Sequence, residues 1–325
     1  MGQVPDGAVT ELGSAIAEQV GRVIVGKADQ TRLITVTLLA GGHVLIDDVP
    51  GVAKTLLVRT FAASLGLTFS RIQCTADLLP SDVTGSTVFN QQTGAFEFRP
   101  GPLFANIVLA DEINRATPRT QSAFLEAMEE RGVTVDGTTH ALPQPFMVLA
   151  TQNPVELKGT FPLPEAQLDR FLLRVRMGYP SQADEVAMLM RFRAGDPLTE
   201  VRAVAVADDL PHIKESVRGV HVSEDVALYI AALARATREA PTLRLGASPR
   251  SSLALLHASQ AWAALAGRGF VTPDDVQGLV APVLAHRLLL SRDASLTQRD
   301  AEAVLREIVS EVPVPAETPE TTTAG

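Results

Sequence analysis

Over the first 180 positions the hydrophobic residues fall into short, charge-poor runs separated by longer stretches with helical spacing. The runs at 43–46, 106–110, 146–151 and 172–176 are rich in Val, Ile, Leu and Phe, that at 68–74 carries Phe69 and Ile72 among polar residues, and all end in turn residues. That pattern predicts strands of a parallel sheet covered on both faces, with the stretches between them, including 54–65 and 119–131, as crossover helices. Two further helices, 9–20 and 27–40, are predicted ahead of the first strand. Two segments break the alternation. Residues 86–98, with Gln92-Thr93-Gly94 as the turn, and 133–142, with Asp136-Gly137 between β-formers, read as hairpins added to the sheet.

After Tyr179-Pro180 the strand signal stops. Ser181-x-x-Asp184 and Thr272-Pro273-Asp274-Asp275 have the form of capping boxes, and 227–240 and 251–266 carry apolar residues at helical spacing. The expectation is an α/β domain over 1–180, a smaller all-helical domain over 181–312, and a Pro/Thr/Glu-rich disordered tail over 313–325. A length of 325 residues fits two domains, each closing its own core.

Composition narrows the function. Hydrophobic residues make up 46% of the chain and the net charge is −9, so the chain is globular and offers no general counter-field for a phosphate backbone. Cys74 is the single cysteine, which excludes a disulfide framework and a Cys-rich zinc site and fits a reducing compartment such as the cytoplasm. The N-terminus has neither a basic run nor an apolar segment of signal-peptide type, and the most apolar stretches fall short of the about 20 residues that span a bilayer. Cys74 and Trp262 read as core residues, and His43 as structural.

The chemistry concentrates at strand ends. The run 43–46 leads into Asp48-Val49-Pro50-Gly51-Val52-Ala53-Lys54-Thr55 and an apolar helix, the order of a phosphate-binding P-loop. Pro50, Gly51, Val52, Ala53, Lys54, Thr55 and Leu56 would cradle the phosphates of ATP with backbone N–H groups, Lys54 would neutralise β and γ oxygens, and Thr55 would ligate Mg²⁺. The match is incomplete, because Asp48 and Ala53 stand where the generic motif has Gly. An Ala holds that place only with a negative φ, leaving the loop path close to the usual one. Ile107-Val108-Leu109-Ala110 ends in Asp111-Glu112, which puts Asp111 beside the metal and Glu112 within reach of an attacking water. The ordinary alternative is a helix cap, a task better met here by Thr117-Pro118. A third apolar run ends in Thr151-Gln152-Asn153, where Asn153 would orient that water or simply open a turn with Pro154. Arg170 would project as a cation toward developing phosphate charge or pair on the surface with Asp169 or Glu165. Arg250 opens a helix after Ser248-Pro249, where a cation opposes the helix dipole unless an anion is bound.

Gly51-Val52-Ala53-Lys54-Thr55, Asp111-Glu112-Ile113-Asn114-Arg115-Ala116, Ala150-Thr151-Gln152-Asn153-Pro154, Pro164-Glu165-Ala166-Gln167-Leu168-Asp169-Arg170-Phe171 and Gly246-Ala247-Ser248-Pro249-Arg250 occur in that order. Together they resemble the MoxR family of AAA+ ATPases over about residues 10–310. The resemblance implies a P-loop AAA+ sheet with helices on both faces followed by an all-α lid. It makes Lys54 and Thr55 Walker A, Asp111 and Glu112 Walker B, Asn153 sensor 1, Arg170 an arginine finger acting on the adjacent subunit's ATP, and Arg250 sensor 2. It places adenine at Val25 and Gly26, and it makes 86–98 the helix-2 insert and 133–142 the pre-sensor-1 hairpin. It further implies a ring, a hexamer, that acts as a chaperone with a von Willebrand factor A-domain partner in maturing client complexes by cofactor or metal-centre insertion. Two other readings stand beside it: a DNA-remodelling motor, against which the acidic charge counts, and a nucleotide-gated scaffold with little turnover, which Asp48 and Ala53 motivate.

Overall fold

The strand runs assemble into one parallel sheet in a computed structural model that describes residues 7–47, 52–152, 159–193, 195–205, 207–296 and 299–315. In chain order the first part contains α1 (Ala8–Val23), α2 (Ala28–Ala40), β1 (Val44–Asp47), α3 (Lys54–Ser64), β2 (Phe69–Gln73), α4 (Pro80–Thr84), β3 (Gly85–Asn90), β4 (Ala95–Pro100) and β5 (Ile107–Asp111). It continues with α5 (Pro118–Glu130), β6 (Gly132–Val135), β7 (Thr138–Ala141), β8 (Met147–Gln152), α6 (Glu165–Leu168) and β9 (Leu173–Val175). The sheet order is β2-β5-β8-β1-β9, so β8 separates β1 from β5, and the loops after all three open at the same, carboxyl edge.

Both sheet faces are buried, as near-continuous apolar strands require. Val44 and Ile46, Ile107 and Leu109, and Met147 and Leu149 point into one core. Leu45, Val108, Ala110, Val148 and Ala150 point into the other, against Phe124 and Leu125 of α5. The predicted hairpins form as β3–β4 and β6–β7; Asp136 and Gly137 both take positive φ in the second turn. The two hairpins touch where Phe98 stacks on His140, with ring centroids 3.8 Å apart.

The second part contains α7 (Gln182–Phe192), α8 (Leu210–Arg218), α9 (Glu224–Glu239), β10 (Leu243–Leu245), α10 (Pro249–Leu265), α11 (Pro273–Leu284), β11 (Leu289–Leu290), α12 (Arg292–Leu296) and α13 (Ala301–Glu311). The capping boxes at Ser181 and Thr272 are present. Two features differ from the sequence pattern. β10 and β11 pair antiparallel, strands too short to leave an alternation signal, so this part is not purely helical. The helices also do not close a core of their own: Leu255, Leu279, Leu233 and Val217 join one continuous apolar cluster with Ile16, Ile34 and Phe61 of α1–α3. The connection between the parts is gripped from α2's start, where the Lys27 ammonium donates to the carbonyls of Met177 (2.6 Å) and Gly178 (3.2 Å). Most of the proposed tail, 316–325, lies outside the described residues.

Candidate functional site

β1 delivers the chain to the loop at the sheet's carboxyl edge. Asp48, Val49, Pro50 and Gly51 lie outside the described residues; from Val52 onward the path is defined. Ala53 stands at the N-cap of α3 with φ 57° and ψ 26°. The expectation of a negative φ is therefore overturned: the turn into α3 needs a left-handed residue, and Ala bears the clash of about 1–2 kcal/mol that Gly would avoid. With no side-chain cap on it, the first turn of α3 presents its N–H end and positive dipole to solvent, an arrangement suited to an anion. Val52, Ala53, Lys54, Thr55 and Leu56 line a cavity of about 560 Å³ there.

The opposite wall comes from the ends of β2, β5 and β8. Asp111 closes β5, and Glu112 takes a left-handed conformation (φ 56°, ψ 49°) that turns the chain into the short helical turn Ile113–Arg115. Such a conformation costs about 1–3 kcal/mol for a residue with a side chain and persists only where neighbours hold it. Here the buried Thr151 hydroxyl accepts from the Glu112 N–H (2.8 Å) and donates to Asp111 Oδ1 (2.7 Å), tying both acidic residues to the end of β8. On the other side, Arg71 Nη2 donates to Asp111 Oδ2 at 2.7 Å. Gln73 Nε2 donates to Glu112 Oε2 (3.1 Å), and the Arg115 guanidinium reaches the same carboxylate at 3.1 Å. Arg71, Gln73 and Thr151 line the cavity together with Lys54, Thr55, Asp111 and Glu112, and none of the three stood out as a site residue in the sequence. Their signal was local and weak. Phe69-Ser70-Arg71-Ile72-Gln73 alternates, so Arg71 and Gln73 share a face while Ile72 is buried on the other, but only the sheet order puts that face beside Asp111.

Other predicted residues lie elsewhere. Asn153 lies outside the described residues, one position beyond the end of β8. Arg170 and Arg250 do not line the cavity. They meet at Glu129 of α5, Arg170 Nε at 3.1 Å and Arg250 Nη2 at 3.0 Å from its two oxygens, and Arg170 also donates to the Leu125 carbonyl at 2.7 Å. The surface pairing of Arg170 with Asp169 or Glu165 is thus replaced by one with Glu129. Asp169 is engaged instead by Arg287 at 3.4 Å and by the hydroxyls of Ser248 and Ser251. Val25 and Gly26 lie between α1 and α2, outside the cavity lining. Gly26 has φ 70° and packs so closely on the Asp184 carboxylate that a Cβ there would sit 2.5 Å from Oδ2.

Cys74, next to the site, and His43, at the opposite end of β1, are both held uncharged. Burial, with Asp111 and Glu112 nearby, pushes the Cys74 thiol up to about 12. Burial and the Arg131 charge hold His43 neutral, down to about 3; its ring accepts from the Val148 N–H through Nδ1 and faces the Met128 carbonyl with Nε2, the structural role expected. For a divalent cation the cavity lining offers the carboxylates of Asp111 and Glu112 and the hydroxyls of Thr55 and Thr151. Among the described residues no three His, Cys, Asp or Glu converge on a metal position. This donor set fits Mg²⁺, which takes few protein ligands and keeps waters and substrate oxygens. No helix of the described residues is long and apolar enough to cross a membrane.

Comparison with known proteins follows these lines. Residues 43–173 match the model of the ATPase family associated with various cellular activities (AAA), and residues 235–308 match the AAA lid domain. An uncharacterised protein of Bacillus subtilis, YeaC, is 51% identical over 94% of this chain and 95% of its own length. Chaperone MoxR1 of Mycobacterium tuberculosis is 42% identical over 94% of this chain and 83% of its own. A crystal structure of a candidate ATPase from Cytophaga hutchinsonii superposes with a TM-score of 0.89 at 36% identity, covering 95% of this chain and 96% of that one.

Proposed function

Given that the chain belongs to the MoxR family of AAA+ ATPases and hydrolyses ATP, we propose that it is an Mg-ATP-driven remodelling chaperone that works as a ring of identical subunits. The observation that carries this reading is the meeting of Lys54, Thr55, Asp111 and Glu112 on one cavity at the start of α3, while Arg170 and Arg250 face Glu129 outside it. In this reading the N–H groups of the α3 first turn and the Lys54 ammonium hold the β- and γ-phosphates, and Val25 and Gly26 receive adenine. Thr55 and Asp111 hold Mg²⁺, which when bound supplies charge neutralisation at the phosphate oxygens. Glu112, fixed through Thr151, Gln73 and Arg115, orients the attacking water and takes its proton, with Asn153 as the second contact to that water.

The charge that develops at the γ-phosphate needs a further cation, which in related phosphoryl-transfer enzymes is worth about 10³–10⁵ in rate. Arg170 does not reach its own cavity, which supports its action on ATP bound by the neighbouring subunit, with Arg250 beside it. The hexameric ring, the von Willebrand factor A-domain partner, the client complexes and the cytoplasmic setting rest on the family. The name of the MoxR1 relative supports the chaperone role.

Mixing two inactive variants tests the shared site. Arg170→Ala and Glu112→Gln each bind ATP without turning it over. In mixtures some boundaries pair an intact Glu112 with an intact Arg170, and phosphate release returns with a maximum at intermediate ratios. No release at any ratio would refute action across the boundary.

A further inference from the structure

The cavity contains one cation that the reaction scheme above leaves unused. Arg71 places Nε at 3.1 Å and Nη2 at 2.7 Å from Asp111 Oδ2, and the same Nη2 is 2.8 Å from Gln73 Oε1. Both oxygens of Asp111 are therefore occupied by protein donors, Oδ1 by the Thr151 hydroxyl and Oδ2 by the guanidinium. Each carboxylate oxygen has two lone pairs: Oδ2 uses both on Nε and Nη2, so it takes a metal only when the guanidinium leaves, whereas Oδ1 keeps one beside the Thr151 hydroxyl. Thr151 is fully buried and also fixes the Glu112 N–H, so it is not free to move. The Arg71 side chain is 46% exposed, on a long flexible stem at the edge strand β2, and can withdraw without disturbing the sheet.

We propose that Arg71 is a placeholder cation, a positioning residue that neutralises Asp111 in the nucleotide-free site and yields Oδ2 to Mg²⁺ when Mg-ATP binds. The charges explain why such a residue is needed. Asp111 and Glu112 are consecutive carboxylates on the wall that faces an incoming polyanion. Arg71 offsets the first and Arg115 the second, so the site accepts ATP without first meeting two bare negative charges. Mg²⁺ then brings its own charge and makes the guanidinium at Asp111 redundant. The placeholder thus lessens the dependence of ATP binding on metal in two ways: it favours metal-free ATP and it competes with the metal for Oδ2.

The inference rests on Asp111 as a metal ligand, and the test separates the two. A fluorescent ATP analogue is titrated into the full-length protein with Mg²⁺ and with EDTA, and the ratio of the two dissociation constants is the readout. Arg71→Ala is expected to weaken metal-free binding about tenfold, the equilibrium effect of one lost charge-assisted interaction, and to leave Mg-ATP binding unchanged or tighter, so that the ratio rises. Arg71→Lys, which keeps the charge, holds the ratio near the wild-type value. Equal weakening under both conditions would assign Arg71 a structural role only, and weakening confined to Mg-ATP would make it a phosphate ligand; either result overturns the proposal. Asp111→Asn should collapse the ratio toward one. If it does not, Asp111 is not a metal ligand and the underlying reading fails. If it does while Arg71→Ala leaves the ratio unchanged, only the placeholder is lost.

Discussion

Thr151→Val exchanges a hydroxyl for a methyl of nearly equal volume, so it creates no cavity and isolates two hydrogen bonds. The lost partners are Asp111 Oδ1 at 2.7 Å, a bond to a charged group worth about 1.5–3 kcal/mol, and the Glu112 N–H at 2.8 Å, whose desolvation penalty is about 1–3 kcal/mol. Both run through one oxygen and are not independent, so a combined loss of about 2–4 kcal/mol of stability is expected. The functional effect is larger than the binding effect. Glu112 holds its left-handed conformation partly through that N–H bond, and a displacement of about 1 Å at a catalytic group can reduce rate about 10²-fold. Asp111 keeps its place at the end of β5 and its bond to Arg71 in the nucleotide-free site, and Lys54 and Thr55 are untouched, so affinity for Mg-ATP should change only a few-fold. Phosphate release measured against ATP concentration separates kcat from KM, and thermal unfolding reports the stability loss. Thr151→Ser, which keeps the hydroxyl, should restore most of both. A Thr151→Val protein with wild-type kcat and an unchanged melting temperature would refute the idea that Thr151 organises the two carboxylates.

Ala53→Gly removes a left-handed strain of about 1–2 kcal/mol and adds unfolded-chain freedom worth about 0.4–1 kcal/mol, so a net gain of roughly 0.5–1 kcal/mol is expected. The denaturant midpoint of the nucleotide-free protein measures it, and a lower midpoint would contradict the φ assignment. His43 gives a pH dependence of definite sign. Its folded value of about 3 lies below the ordinary 6.5, so well above pH 6.5 it contributes no slope, and as pH falls through 6.5 the unfolded chain takes up a proton that the folded one refuses. By pH 5.5 this removes about 1.4 kcal/mol, read as a fall in denaturant midpoint between pH 7.5 and 5.5 that is reduced in His43→Gln. A midpoint independent of pH over that interval would argue against a buried neutral ring.

What the sequence disclosed and what it hid divide along physical lines. The central strands β1, β5 and β8 were legible to within one or two residues because both faces are buried, which makes each a near-continuous apolar run, while β2 and β9 mix polar residues with apolar ones and were read from their place between helices. The hairpins and the caps at Thr117, Ser181, Ser248 and Thr272 were legible because turn and cap chemistry is local. Lys54, Thr55, Asp111 and Glu112 could be placed together from the sequence because each ends or follows a strand, and in a parallel sheet strand ends converge; they line one cavity. Thr151, Arg71 and Gln73 escaped because their significance depends on which strands are neighbours, and pattern alone does not order a sheet. Glu129 escaped for a similar reason: it is one of several acidic residues on α5, and both arginines that share it come from distant parts of the chain. The backbone of Ala53 was misread because the expectation weighed only the cost of a methyl group in the left-handed region and not the turn that demands it.

The measurement closest to the centre of this account is the fate of ATP on Glu112→Gln, compared with wild type and Lys54→Ala. Rapid separation of protein from free nucleotide, followed by chromatography of what stays bound, should find intact ATP on Glu112→Gln, ADP on the wild type after turnover, and no nucleotide on Lys54→Ala. Glu112→Gln releasing ADP and phosphate at the wild-type rate, or Lys54→Ala retaining ATP as well as the wild type does, would contradict a hydrolytic site built from these residues.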